Sequence, residues 1–376
     1  MGLDTGVRWF QNQENNTIDT RIVEVHYLAY GIVSPIIISA GIVGNLLTIL
    51  ILWNPKFRGV TYKYFVILAA SDLIALLCSI SVFVHIVQEA TRSYTTAVWY
   101  SYLENYFVNV PMSTSVFTVV CVTVDRFYSI CRPAKFSTIH SPKFAYKALF
   151  LTFVVSAVVW LPVCFLKTPV DAGDCESSYF EPPDDDETWW VACMRYDTLA
   201  EPWYLMYSWS RQTIVTFIPI VVITVLNAMT IRSFIRLSKR RKEMIVNSVL
   251  GSSSQNASTP GEGKMVEESN LVYLLSAVVL TFFITMVPVG IFNAMYTDYL
   301  SSAFKYEVFR ALANDLEILN HALNFYMYIL CSSQIRLTCR TFVSQCASAV
   351  YSFLQFTFLV FIKRPVRSPC TPGSCV

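Results

Sequence analysis

The sequence predicts an all-α membrane protein, a seven-transmembrane helix bundle with a short amphipathic helix after the seventh span. First, the 376 residues are 54% hydrophobic and only 14% charged, whereas about a quarter of the residues in soluble domains are charged. Second, seven apolar stretches are long enough to cross a hydrocarbon core of about 30 Å, which takes about 20 residues. Third, basic residues are concentrated in alternate connections between these stretches. Because lipid offers the backbone no hydrogen-bond partners, each stretch is expected to be a helix.

The seven predicted spans follow one another without a separate soluble domain between them. They cover residues 28–53, 63–88, 98–131, 146–166, 203–235, 269–297 and 307–331. The predicted organisation is an extracellular tail at residues 1–27, the bundle at residues 28–331, and a cytoplasmic tail with a membrane-associated apolar segment at residues 332–376.

The distribution of positive charge predicts the orientation. Twenty of the 28 Lys and Arg residues lie in residues 56–63, 126–147 and 232–264 and in the tail from Arg336. Basic residues favour the cytoplasmic side, so the N-terminus of this multi-pass chain is expected outside. No signal-peptide pattern precedes span one, which is therefore expected to act as its own insertion signal. Asn15, in Asn15-Asn16-Thr17, is then an expected glycosylation site.

Two connections and the tail have a distinctive composition. Residues 171–201, between spans four and five, carry ten acidic residues and one basic residue, Arg195. After span seven, Ser333 to Val343 has the pattern of an amphipathic helix on the inner membrane face. Residues 347–362 form a further apolar run of 16. This run is either a membrane-hugging tail or an eighth span, and the sequence leaves both open.

Each predicted span carries a short signature in a fixed order. The signatures are Gly44-Asn45, Leu68-Ala69-Ala70-Ser71-Asp72, Asp125-Arg126-Phe127, Trp160, Pro219, Phe282 with Pro288, and Asn320 followed by Asn324-Phe325-Tyr326-Met327-Tyr328. Together they resemble the rhodopsin-like family of G-protein-coupled receptors over residues 28–345. The resemblance implies a plasma-membrane receptor that couples an extracellular ligand to a heterotrimeric G protein, with arrestin as a further partner.

The resemblance implies a switch at the inner ends of the spans. Arg126 would be held by Asp125 and, across the bundle, by Glu268, and breaking that pair as span six swings outward would open a cleft for the G protein. Tyr328 would swing inward to support the open state. The implied switch set is Asp125, Arg126, Glu268, Phe282, Pro288, Asn324 and Tyr328. The alternative is that Arg126 is only a cytoplasmic anchor.

The resemblance also implies a small polar cavity inside the bundle. Its members would be Asn45, Asp72, Ser115, Asn320 and Asn324. An ionised Asp72 there needs a counter-charge, which the family usually supplies as an allosteric sodium ion. The alternative is a neutral Asp72 bridged by water. No other cofactor is expected.

Several positions depart from the family pattern. Phe325 replaces a proline, so the bend in span seven is expected to be weaker; Met286 replaces a common Trp, and Asn227 a common Tyr. At the outer end of span three, Ser101 stands where the family has a cysteine bridged to the second outer loop. The resemblance therefore implies that Cys175 and Cys193 pair with each other and close a hairpin. Two free thiols are the alternative.

The implied ligand pocket lies between the outer halves of the helices. Val108 stands where amine receptors carry an Asp, and Ile318 where light-sensing members carry a retinal-binding Lys, so neither ligand class is expected. The implied pocket residues are Glu104, Val108, Met112, Arg211, Asn293, Tyr296 and Asn314. Arg211 would bind a ligand carboxylate or pair with Glu104.

An acidic, aromatic mouth, with Trp189-Trp190 after the Asp run, suits a small basic peptide such as one ending in Arg-Phe-amide. This pattern is similar to that of invertebrate FMRFamide-like peptide receptors. The alternative is that the acids only keep the loop soluble and that the aromatic residues form an ordinary membrane belt.

The remaining expectations concern partners and rival functions. Cys339 and Cys346 are candidates for palmitoylation, and Ser374-Cys375-Val376 fits a PDZ ligand. Membrane lipids are expected partners, nucleic acid is not, and no residue cluster indicates an enzyme. The rival functions are a chemosensory receptor of the same fold and, from another class, an ion-coupled transporter that uses Asp72.

Overall fold

Long helices make up most of the computed structural model, which describes residues 20–88, 90–175, 188–195, 201–251, 262–295 and 304–362. Span one comprises Thr20–His26, a π-helical segment Tyr27–Val33 and Ser34–Leu52, and span two is Val60–Gln88. Span three comprises Tyr94–Val98, a π-helical segment Trp99–Leu103 and Glu104–Cys131, and span four is Pro142–Trp160, extended by the 3-10 turn Leu161–Phe165. Span five comprises Pro202–Gln212, a π-helical segment Thr213–Phe217 and Ile218–Gly251, span six is Glu262–Met295, and span seven comprises Phe304–Ala322 and Asn324–Cys331. Span one thus begins before the predicted residue 28.

Among the described residues, five helices are long and apolar enough to cross a membrane. They are Glu24–Leu52, Val60–Ile86, Tyr94–Cys131, Pro142–Phe165 and Pro202–Arg240. Span six contributes a shorter apolar helix, Ser276–Phe292. Span seven has a more polar outer half, which includes the buried Glu307 and Arg310. These side chains are turned into the bundle, where protein partners rather than lipid surround them.

Spans one, two and seven pack unusually closely at two glycines. A Cβ atom on Gly41 would lie 2.6 Å from Leu76 Cδ1 and 2.8 Å from Ala322 Cβ. A Cβ atom on Gly44 would lie 3.0 Å from the Cβ of Phe325. The absence of a side chain at Gly44 therefore makes room for Phe325, the residue that replaces the family's proline.

Span seven is interrupted at Leu323, between Phe304–Ala322 and Asn324–Cys331. The Leu323 amide still donates to the Leu319 carbonyl over 3.0 Å. The interruption thus occurs without the proline, next to Asn324, whose side chain turns inward to Asp72.

A β-hairpin covers one end of the bundle, which is called the outer end here; the opposite end is the inner end. Strand β1, Lys167–Asp171, pairs antiparallel with β2, Trp190–Met194. Thr91 and Trp190 also exchange two backbone hydrogen bonds, of 2.9 and 2.7 Å. The hairpin is thereby attached to the connection between spans two and three.

The predicted hairpin disulfide is confirmed, since Cys175 and Cys193 are bonded to each other. Ser101 is buried, with 4% of its surface exposed. The attachment of the hairpin therefore comes from the backbone bridge at Thr91 and not from a disulfide to span three.

After span seven the chain forms one helix, Ser333–Ile362, of 30 residues. It is longer than the predicted amphipathic segment because it continues through the apolar run 347–362. Ile335 is buried against the inner core of the bundle, and Cys339 packs there partly buried. The placement of this helix on the membrane stays a prediction.

Candidate functional site

At the inner end of span three, Arg126 is tied to two neighbours. Its Nη2 atom donates to Asp125 Oδ2 over 2.6 Å and also to the hydroxyl of Thr61, on span two. Arg126 is 9% exposed and Asp125 only 1%. The side chain of Arg126 is therefore held by two buried side chains and is not freely solvated, and its role as a switch stays a prediction.

Asp125 has a further partner that the sequence analysis missed. The Nδ1 atom of His140 lies 2.8 Å from Asp125 Oδ1, and the His140 ring stacks on Phe136, with 4.4 Å between centroids. Phe136 belongs to the short helix Pro133–Ile139 after span three. The carboxylate of Asp125 therefore joins Arg126 to the second inner loop.

A histidine that the sequence analysis did not name, His321, contacts Asp72, a residue of the predicted polar cavity. Asp72 Oδ1 lies 2.7 Å from His321 Nδ1, and Asp72 Oδ2 accepts a hydrogen bond of 2.7 Å from Asn324 Nδ2. Neither Asp72 nor His321 has any measurable exposure. Asn45 donates to the backbone carbonyl of His321 over 2.9 Å, so spans one, two and seven meet at this histidine.

The other two residues of the predicted cavity are Asn320 and Ser115. Asn320 accepts a hydrogen bond of 3.1 Å from Thr285, on span six, and Ser115 is buried on span three. The structure thus brings Asp72, Asn324 and Asn45 together through His321, while Asn320 joins span seven to span six.

Tyr328 lies inside the bundle beneath this cavity. Only 1% of its surface is exposed, and its ring lies 4.8 Å from the Phe65 ring. Its hydroxyl is buried without a hydrogen-bond partner among the residues that the structure describes. Phe282 and Met286 belong to the same core cluster.

In the outer half, Glu104 of span three is buried at 1% exposure. Its carboxylate is 2.7 Å from His85 Nδ1 and accepts a hydrogen bond of 2.8 Å from Ser81. Tyr100 stacks flat on the His85 ring, with 4.1 Å between centroids. Among the described residues, therefore, Glu104 has no Arg or Lys partner, and its counter-group is a histidine.

Arg211 does not pair with Glu104, one of the two alternatives left open above. Its guanidinium carbon lies 4.6 Å from the centroid of the Trp160 ring and 5.5 Å from that of Tyr207. Its Nε atom has no hydrogen-bond partner within the described ranges. The aromatic rings stabilise the cation and leave hydrogen-bonding capacity for another group.

The remaining described pocket residues lie between spans one, three and seven. Asn314 donates to the Tyr30 hydroxyl over 2.8 Å, and Val108 and Met112 are buried in an apolar cluster that includes Tyr30. Nearby, Glu307 pairs with Arg310 and with His26, each at 3.2 Å. Val108 and Met112 therefore give this region an apolar side, and its role in ligand binding stays a prediction.

The profile of the family described as "7 transmembrane receptor (rhodopsin family)" matches residues 44–332. The chain belongs to this family. A probable G-protein coupled receptor of Caenorhabditis elegans is 29% identical over 336 residues, which cover 86% of this chain and 71% of that protein. A second probable receptor of that organism is 25% identical, over 83% of this chain and 74% of its own length. The QRFP-like peptide receptor of Branchiostoma floridae is 25% identical, over 65% of this chain and 59% of its own length.

The protein is therefore a rhodopsin-like, multi-pass receptor of the plasma membrane that couples an extracellular ligand to a heterotrimeric G protein. Some predictions fall outside the described part of the receptor: the side chains of Glu268, Asn293 and Cys346, and the residues Asn15, Tyr296 and Ser374-Cys375-Val376.

Removal of the hairpin disulfide is expected to reduce ligand affinity without preventing receptor assembly. Cys175→Ser, Cys193→Ser and the double variant should behave alike, because each one opens the same covalent loop. The backbone bridge between Thr91 and Trp190 remains in all three variants. Surface expression measured beside ligand affinity checks this result. A loss of surface expression in all three variants would contradict it.

Proposed function

We propose that the ligand is a short peptide with a basic and an aromatic residue, such as a peptide ending in Arg-Phe-amide. Three similar proteins support this proposal by their names. They are the QRFP-like peptide receptor, the allatostatin-A receptor of Bombyx mori and a galanin-like G-protein coupled receptor of Caenorhabditis elegans. The apolar residues Val108 and Ile318 argue against an amine and a retinal ligand, respectively.

The single observation that carries this proposal is the buried carboxylate of Glu104, which is held by His85 and Ser81. An arginine of a ligand forms shorter and stronger charge-assisted hydrogen bonds with a carboxylate than neutral groups do. A cationic peptide residue can therefore replace His85 as the partner of Glu104. The long reach of an arginine side chain suits a carboxylate below the mouth of the bundle.

The hairpin offers aromatic surface for the same ligand. Trp189 already stacks under a guanidinium group, since the Arg92 Cζ atom lies 4.7 Å from the centroid of its ring. Trp190 packs edge-on against Tyr94, with 4.8 Å between centroids. These contacts support binding of a peptide that presents both an arginine and a phenylalanine. Arg211 is proposed as a second polar contact, for an acceptor group on the ligand.

On the inner side, we propose that signalling breaks the contacts of Arg126. Asp125, Thr61 and His140 hold the inner end of span three in the present arrangement. Outward movement of span six about Pro288, with Phe282 repacking and Glu268 released from Arg126, would open the G-protein cleft. Tyr328 would then turn toward Arg126 and give its buried hydroxyl a partner.

We also propose how the receptor is oriented in the membrane and which partners it has at the inner face. The N-terminus lies outside, as the basic inner segments favour, and the protein acts as a receptor and not as an enzyme. Arrestin and membrane lipids act at the inner face. Cys339 and Cys346 carry palmitoyl groups that hold the helix Ser333–Ile362 on the membrane, and the C-terminus adds a strand to a PDZ domain.

We expect Glu104→Gln to lower the potency of Arg-Phe-amide peptides about 10- to 100-fold, since a hydrogen bond to a charged group contributes about 1.5–3 kcal/mol. The substitution keeps the size of the side chain and its capacity to bond Ser81. Stimulated nucleotide exchange, measured over a peptide concentration series on cells expressing the receptor, checks this result.

The matched control is Asp174→Asn, which removes the same charge from an exposed position beside the hairpin. It should leave peptide potency within about threefold, as expected for a screened surface charge. Equal losses in both variants would indicate general attraction by the acidic mouth and would refute a specific role of Glu104. Silence toward all amidated peptides would favour the chemosensory receptor, and ligand flux without nucleotide exchange would favour the transporter.

A further inference from the structure

We propose that His321 takes the place of the sodium ion that the family resemblance implies beside Asp72, so that this receptor is insensitive to sodium. The proposal concerns the polar core and does not depend on the identity of the ligand. The deciding observation is whether the side chains around Asp72 offer oxygen ligands to an ion or form hydrogen bonds with one another.

The carboxylate of Asp72 is already engaged at both oxygens. Oδ1 is 2.7 Å from His321 Nδ1, and Oδ2 accepts a hydrogen bond of 2.7 Å from Asn324 Nδ2. A hard cation such as sodium requires several oxygen ligands that converge on one point. Here two nitrogen atoms, each able to donate, converge on the carboxylate instead. Asn324, a predicted ion ligand, presents its amide nitrogen to Asp72.

The other predicted ion ligands are engaged in part. The Oδ1 atom of Asn45 is buried without a hydrogen-bond partner within the described ranges, but a single amide oxygen does not supply the several converging oxygens that a hard cation needs. The Nδ2 atom of Asn45 donates to the backbone carbonyls of Gly41 and His321, at 3.0 and 2.9 Å. Asn320 Oδ1 accepts from the hydroxyl of Thr285. The bond from Asn45 to the His321 carbonyl fixes the backbone that carries the imidazole. Asn45, Asp72 and Asn324 therefore form a connected hydrogen-bond network with His321, and the bond between Asn320 and Thr285 lies beside it.

The spacing of span seven explains why His321 reaches this point. His321 lies in the last turn of Phe304–Ala322 and Asn324 begins Asn324–Cys331. Because the Leu323 amide still bonds to the Leu319 carbonyl, the two residues keep the three-residue spacing of one helix face. Both therefore face Asp72, on span two. The full burial of Asp72 makes an internal partner necessary, because a carboxylate removed from water is stable only when it is paired or hydrogen-bonded. A donated hydrogen bond from Nδ1 meets this need whether the imidazole is neutral or charged.

The consequence concerns the response to salt. An ion that binds one conformation of a receptor stabilises that conformation and changes ligand affinity by the same coupling. With His321 in the position of the ion, sodium has no site from which to act. The thermal unfolding midpoint of the purified receptor should then be equal in sodium chloride and in choline chloride at the same ionic strength.

The test compares the wild-type receptor with His321→Ser, which removes the imidazole and supplies a hydroxyl oxygen. We expect no difference between the two salts for the wild type and a midpoint raised by a few degrees in sodium chloride for His321→Ser. The double variant His321→Ser with Asp72→Asn should lose that rise, because the carboxylate is then absent.

Two outcomes would overturn the proposal. One is sodium-specific stabilisation of the wild-type receptor, a measurement that needs no variant to fold. The other is a folded His321→Ser receptor whose unfolding midpoint is the same in both salts. The ligand-free readout keeps this test separate from the peptide proposal, which can fail without changing either result.

Discussion

Arg126→Ala is expected to abolish ligand-stimulated nucleotide exchange while leaving surface expression and ligand binding intact. Of the two charged residues Asp125 and Arg126, Arg126 is the one that can donate hydrogen bonds. Its Nη2 atom connects Asp125 to Thr61 of span two. Hydrogen bonds to charged groups contribute about 1.5–3 kcal/mol each. Their loss removes the contact through which span three distinguishes the closed bundle from the open one. Exchange on membranes containing receptor and G protein measures the effect.

Thr61→Val provides the matched control for this experiment. It preserves the shape of the side chain but removes the hydroxyl that accepts from Arg126, and it leaves the pair with Asp125 in place. Stimulated exchange should persist, and basal exchange should rise because the closed arrangement has lost one bond. If Arg126→Ala responds to ligand at wild-type potency, Arg126 is only a cytoplasmic anchor.

The parts of this receptor that sequence could predict have strong local signals. Span positions follow from apolar length, because the thickness of the membrane fixes how many residues a helix needs. The pair Cys175–Cys193 followed from the resemblance, since Ser101 cannot form the usual bridge. The ends of a span have a weaker signal than its apolar middle. The helical start at Thr20 lies before the predicted span because a helix continues past the apolar stretch when protein packs against it.

No local sequence pattern predicts which residues are the hydrogen-bond partners of the buried acids. The chain contains four histidines, and each lies beside a buried carboxylate: His26 with Glu307, His85 with Glu104, His140 with Asp125 and His321 with Asp72. Contacts such as that between His321 and Asp72 join residues 249 positions apart, which no local pattern reveals. The available clue was chemical: buried acids need donors, and histidine is a short side chain that can donate within a helical bundle.

Gly41→Ala is expected to destabilise the receptor by about 1–3 kcal/mol, the usual effect of adding a methyl group to a filled core. The new Cβ atom would lie 2.6 Å from Leu76 Cδ1 and 2.8 Å from Ala322 Cβ. The Ala322 backbone cannot retreat easily, because its neighbour His321 is fixed by Asn45 and Asp72. The clash therefore outweighs the gain in helix propensity, which is about 1 kcal/mol. The thermal unfolding midpoint of the purified receptor measures the balance.

Gly31→Ala tests whether the effect comes from packing or from the loss of a glycine as such. Gly31 belongs to the same span, but an added Cβ atom there meets only the Tyr27 ring, at 3.4 Å or more. This variant should have an unfolding midpoint equal to or above that of the wild type. Gly41→Leu, which requires far more space between spans one, two and seven, should prevent surface expression. A Gly41→Ala receptor as stable as Gly31→Ala would show that these spans do not meet as closely as the structure places them.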